Sequence, residues 1–135
     1  MRTLTHLPRL CLLGAALATL ACGGSSSSSS TPTSPTLSTA VVTNTITITS
    51  AGVSPNNIEI TQGSRVLFIN NDSRSHNMTA DPHPEHTDCP PINSVGFLAA
   101  GRQIETSNMT TVRTCGYHDH DDASNTKFQG KITIK

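Results

Sequence analysis

From Ala40 onward the chain is built of short runs in which β-branched or other apolar side chains alternate with polar ones. They are Thr45-Ile46-Thr47-Ile48-Thr49, Asn57-Ile58-Glu59-Ile60, Arg65-Val66-Leu67-Phe68-Ile69 and, at the end, Lys131-Ile132-Thr133-Ile134-Lys135. A period of two buries one face of a strand and cannot place an apolar stripe on a helix. Turn formers separate the runs at Ser54-Pro55-Asn56, Gln62-Gly63 and Asn70-Asn71-Asp72, where Pro and Gly set backbone angles that a strand cannot hold. Further short candidates lie at 76–80, 95–98, 102–106 and 110–115. Seven to eight such strands predict an all-β domain, a Greek-key β-sandwich. The stretch from Asp81 to Ser94 (DPHPEHTDCPPINS) is too polar and too rich in Pro for a core and predicts a surface loop.

What precedes the sandwich reads as an address. Residues 1–21 carry Arg2 and Arg9 ahead of the apolar run LCLLGAALATLA, the layout of a secretory signal peptide and too short for a permanent membrane span. The run ends at Thr19-Leu20-Ala21-Cys22, which resembles a bacterial lipobox and makes Cys22 the expected lipidation site. Residues 22–40 are dominated by Gly, Ser, Thr and Pro. Such a segment cannot bury enough surface to offset its ordering entropy, so it predicts a tether reaching roughly 20–25 Å. The folded domain is therefore expected over 41–135. A lipid anchor places it in the cell envelope, facing the periplasm or the cell surface, and Gly23 after Cys22 favours the outer over the inner membrane.

A chain of 135 residues with 13 % charged side chains and no net charge holds one ordinary domain and carries no basic stripe, so nucleic acid is excluded as a partner. The membrane is expected to be touched only through the anchor, and the domain to be a monomer. No nucleophile elbow, phosphate-cradling Gly loop or H-E-x-x-H pair is present, so the expectation is not an enzyme.

Chemistry concentrates in Cys and His. With Cys11 in the signal and Cys22 lipidated, the domain keeps Cys89 and Cys115. In an oxidising compartment two such residues form a disulfide; alternatively, Cys115-Gly116-Tyr117-His118 offers a thiolate and an imidazole to one soft metal ion, and His76 supplies a third donor.

These residues carry a resemblance. Val53-Ser54-Pro55 with Ile58-Glu59-Ile60 and Gly63, Val66 to Asn70, His76, Gly96-Phe97-Leu98 with Gly101, Cys115 to His118 and Gly130 to Ile134 together resemble a cupredoxin, the plastocyanin and azurin family of blue copper proteins. The resemblance implies one copper ion cycling between Cu(II) and Cu(I), with His76, Cys115 and His118 as ligands, and electron transfer to a redox protein whose identity is unknown. Where the family places an axial Met this chain has Phe128, which cannot ligate. The loop after His118 holds His120 and the acidic Asp119, Asp121 and Asp122, which favours a basic partner. His83 and His86 are expected either as solvated loop residues or as further copper ligands. The alternative function is a copper-binding or copper-buffering lipoprotein. There His83, His86, His118 and His120 hold the ion, a Cys89–Cys115 disulfide is structural, and no redox role follows.

Overall fold

The structure, a computed structural model, describes residues 40–135; the signal peptide, Cys22 and nearly all of the tether lie outside the described residues. Ten strands follow in order: β1 (Val41–Val42), β2 (Thr45–Thr49), β3 (Gly52–Ser54), β4 (Asn57–Ile60), β5 (Leu67–Asn70), β6 (His76–Ala80), β7 (Gly96–Leu98), β8 (Gln103–Glu105), β9 (Arg113–Asp119) and β10 (Gln129–Ile134). They form a six-stranded sheet, β1-β4-β10-β9-β6-β7, and a four-stranded sheet, β3-β2-β5-β8. The strands beyond the seven or eight expected are β1 and β3, two and three residues long, too short to show a period in the sequence.

Alternation dictates the core. In β2, Ile46 and Ile48 are fully buried while Thr45, Thr47 and Thr49 are only partly covered. β4, β5 and β10 repeat the pattern with Ile58 and Ile60, Phe68, and Ile132 and Ile134. The register brings these side chains level: β10 runs parallel to β4 with Ile132 beside Ile58, and antiparallel to β9 with Ile132 beside Cys115. Phe68 of the smaller sheet meets Tyr117 of the larger one edge-to-face, ring centroids 5.4 Å apart and planes at 87°, a favoured aromatic geometry.

The segment from Asp81 to Ser94 is, as its composition implied, without strands; it contains a single 3₁₀ turn, Pro90–Ser94. Its buried members are Cys89 and Ile92, which seat it against the larger sheet.

The element that departs most from expectation is β9. The sequence suggested a strand over 110–115 followed by a loop; the strand instead starts at Arg113 and runs to Asp119. It is held on one side by β10 through the pairs Gln129 with His118 and Gly130 with Tyr117, and on the other by β6 through Thr79 with His118 and Met78 with Asp119. Polar residues such as His118 and Asp119 show weak strand preference on their own. Pairing on both sides overrides that preference.

Gly130 marks a close approach in this arrangement: a Cβ there would collide with the Asn56 carbonyl oxygen and the Tyr117 phenol. Gly130→Ala is expected to lower stability by about 1–3 kcal/mol through overpacking, seen as a lower urea midpoint in the purified domain.

Candidate metal centre

The extension of β9 decides what each expected ligand can do. Successive side chains on a strand point to opposite faces. Cys115 and Tyr117 enter the core and Asp119 is likewise buried, whereas Gly116 and His118 face the outside of the larger sheet, against Asp81. Cys115 and His118, three apart, thus lie on opposite faces. Cys115 is bonded to Cys89, with Cα atoms 5.8 Å apart. Its sulfur is not available as a copper thiolate, and the expected His76, Cys115 and His118 ligand set is not assembled.

His76 is fully buried on the inner face of β6. Its Nδ1 stands 2.7 Å from Asp119 Oδ2 and its Nε2 3.2 Å from Asp72 Oδ2. Both ring nitrogens of this fully buried imidazole are thus taken up by carboxylate oxygens. Phe128, at the position aligned with the axial Met, packs on the His76 ring with centroids 4.8 Å apart, and the Arg74 guanidinium carbon lies over the Phe128 ring, 5.5 Å from its centroid. Burial pushes the Asp72 carboxyl upward, but hydrogen bonds from the Ser73 N–H and from His76 outweigh it and leave its pKa below the usual 3.8. This interior end of the sandwich is a closed Asp72–His76–Asp119 network.

The donors that do converge are imidazoles. His83, His86, His118 and His120 each offer a ring nitrogen, and these atoms all lie within 4.8 Å of one another. Two come from the loop after β6; His118 is in β9 and His120 opens the 3₁₀ turn His120–Asp122. The spacing of two in His118-Asp119-His120 turns both imidazoles outward while Asp119 turns in. Asp119 anchors this reversal: its Oδ1 accepts from the Asn77 N–H at 2.9 Å and from the Asp121 N–H at 3.2 Å. His120 Nδ1 is 3.1 Å from His86 Nε2. The rings of His83 and His118 are 5.4 Å apart, and those of His86 and His118 5.3 Å apart. The cluster grades from buried His118 through half-buried His86 and His120 to exposed His83.

Electrostatics keep His86 ready for a cation. The pKa of His86 is lowered from 6.5, first by burial and then by repulsion from His120, His118 and His83, with Glu85 opposing. Neutral imidazole is the metal-binding form. His86 also has φ of 54°, a left-handed conformation that costs a non-Gly residue of order 1–3 kcal/mol and is met mainly at functional sites. Its backbone is held there by its N–H to the Pro82 carbonyl at 2.7 Å and by Asn93 Nδ2 donating to its carbonyl at 2.9 Å. Four nitrogen donors of borderline softness fit copper or zinc.

No family model and no curated relative matches the chain. Solved structures do. The purple cupredoxin of Nitrosopumilus maritimus is 21 % identical with a TM-score of 0.51, over 69 % of this chain and all of that one. Oxidised plastocyanin of Dryopteris crassirhizoma is 15 % identical at 0.53, over 67 % of this chain and 99 % of the other. An oxidised mutant amicyanin is 14 % identical at 0.51, over 67 % and 80 %. The domain has the cupredoxin fold.

Within this cupredoxin fold, Asp72 and Asp81 are site residues that sequence reasoning missed, and Asp119, read there as a charge of the acidic loop after His118, is instead a buried residue of β9. Nothing in their spacing singles them out; they matter through contacts that only the sheet register creates.

Two outcomes follow. Replacing both Cys89 and Cys115 by Ser opens a cross-link between residues 26 apart and is expected to cost about 3 kcal/mol, read from denaturant midpoints; the unreduced wild-type domain should titrate no free thiol. For His86, folding lowers the pKa from 6.5, so the unfolded chain takes up the proton first as pH falls. The metal-free domain should therefore lose stability as pH drops through about 6.5 and stop losing it once folded His86 protonates, measurable as a falling Tm in chelator-treated protein.

Proposed function

We propose that this domain binds copper on His83, His86, His118 and His120 and serves as a one-electron centre in the cell envelope. The observation that carries the reading is the convergence of four ring nitrogens within 4.8 Å. The fit fails at the inner site, where Cys115 is disulfide-bonded and both His76 ring nitrogens are taken up by Asp119 and Asp72. Copper is preferred over zinc because the fold is that of cupredoxins, and a mutant plastocyanin of fern has been solved both oxidised and reduced. Bound here, copper supplies a Cu(II)/Cu(I) couple.

The residues divide the work. His118, nearly fully buried, fixes the inner edge of the site, and exposed His83 gives a route to the surface. Exposed Glu85 and Asp121 beside the ligands favour a basic redox partner, whose docking would weaken with salt. The Cys89–Cys115 bond supports an oxidising compartment, in line with the signal peptide and lipid anchor expected at Cys22. The domain acts as a carrier and no catalytic role is proposed.

The mature protein given one equivalent of Cu(II) is expected to retain it, to show an electron paramagnetic resonance signal with several nitrogen couplings and no intense copper-thiolate absorption, and to give a reversible voltammetric wave. His120→Ala should weaken binding by more than the ~10–100-fold typical of losing an outer-shell partner. Unchanged copper affinity in His120→Ala and His83→Ala would sink the assignment. Retained copper without a reversible wave would remove electron transfer and leave copper holding.

A further inference from the structure

Asp81 is the residue at which the loop of two ligands meets the strand of a third. It follows β6 directly and precedes His83 by two residues. Its backbone N–H donates to the Gly116 carbonyl at 3.1 Å, and its carbonyl accepts from the Asp88 N–H at 2.8 Å. Asp88 is in turn paired with Arg113 of β9. The Asp81 carboxylate reaches across the outer face of β9, and its Oδ1 lies 2.7 Å from His118 Nδ1.

We propose that Asp81 is the positioning residue of the imidazole quartet: it holds His118 as the Nδ1–H tautomer, so that Nε2 is the atom offered to a metal ion. The inference rests on the quartet being the metal site. An anionic oxygen at hydrogen-bond distance can only accept, so the proton sits on Nδ1 and the lone pair on Nε2. The Thr79 hydroxyl lies 3.5 Å from Nε2, too long to compete with a charge-assisted bond. Carboxylate hydrogen bonds of this type orient metal-bound imidazoles and raise their basicity.

Gly116 supplies the second part of the device. It precedes His118 by two residues and shares its face, and a Cβ there would run into Asp81 Oδ2, with Asp81 Cγ only 2.8 Å away. The carboxylate lies where a side chain would be. Glycine at 116 is thus what lets Asp81 approach His118, even though glycine weakens a strand interior. One acidic side chain thereby fixes the orientation of His118, and its main-chain bonds fix the start of the segment carrying His83 and His86.

The test uses the mature protein with Zn(II) as a redox-silent probe, together with nitrogen NMR of the metal-free form. Asp81→Ala and Gly116→Ala are each expected to lower Zn(II) affinity about 10–100-fold, and in both the His118 resonances should move from the Nδ1–H pattern toward a mixture of tautomers. Asp81→Asn, which keeps a neutral acceptor, should recover part of both. Gly116→Ala decides the matter if Asp81→Ala fails to fold by circular dichroism, because it displaces the carboxylate without deleting it. Wild-type Zn(II) affinity in the folded variants, or an unchanged Nδ1–H pattern, overturns the positioning role. Absence of Zn(II) and Cu(II) binding by the wild type overturns the quartet itself, while the tautomer measurement still decides what Asp81 does to His118.

Discussion

The two-residue period of β9, fixed by its pairing to β10 and β6, governs everything at the functional end of this domain. Because Ile132 sits beside Cys115 and Met78 beside Asp119, Cys115, Tyr117 and Asp119 have no choice but to enter the sandwich. Gly116 and His118 have no choice but to leave it. A slip of one residue would exchange the two sets, turning His118 into the sandwich and Tyr117 away from its contact with Phe68. The cost of that exchange in lost core packing keeps the register unique, and with it the separation of an interior polar network from an exterior imidazole cluster.

The interior network is stable only as a whole. A fully buried imidazole between two buried carboxylates brings three desolvated polar groups into the core, which is tolerable when every donor and acceptor is matched. Asp72 receives the Ser73 N–H, Asp119 receives the Asn77 and Asp121 N–H groups, and His76 joins the two. Among the described residues no buried side-chain polar atom is left without a partner. Asp119 belongs to both regions, since its neighbours His118 and His120 face the other way; the turn that aims His120 is capped by the same carboxylate that holds His76.

The exterior cluster joins segments far apart in the chain through three kinds of bond. The disulfide fixes Cys89 to β9, the Asp81 main chain and carboxylate fix the start of the loop, and Asn93 ties the His86 carbonyl and the Ala80 N–H together. Burial first, and then repulsion from the neighbouring imidazoles, lowers the pKa of His86. A neutral ring keeps its lone pair for a metal ion, so the packing that disfavours a proton on His86 suits a metal.

Sequence alone determined that this chain is a β-sandwich, because alternation at β2, β4, β5 and β10 is a local property that any core-facing strand must obey; the order of the strands was implied by the resemblance to a cupredoxin. It also drew attention to His76, His83, His86, Cys115, His118 and His120. What it could not settle was how they group. The pair Cys115 and His118 lies on one loop, and can share an ion, only if the strand ends at 115; if the strand continues, three residues of separation put them on opposite faces. Where β9 ends depends on pairing partners 11 and 39 residues away along the chain, as in His118 beside Gln129 at one side and the Thr79 contact at the other. Hydrogen bonding between distant strands therefore decided that Cys115 joins Cys89, that His76 joins two carboxylates, and that the four remaining imidazoles share one site.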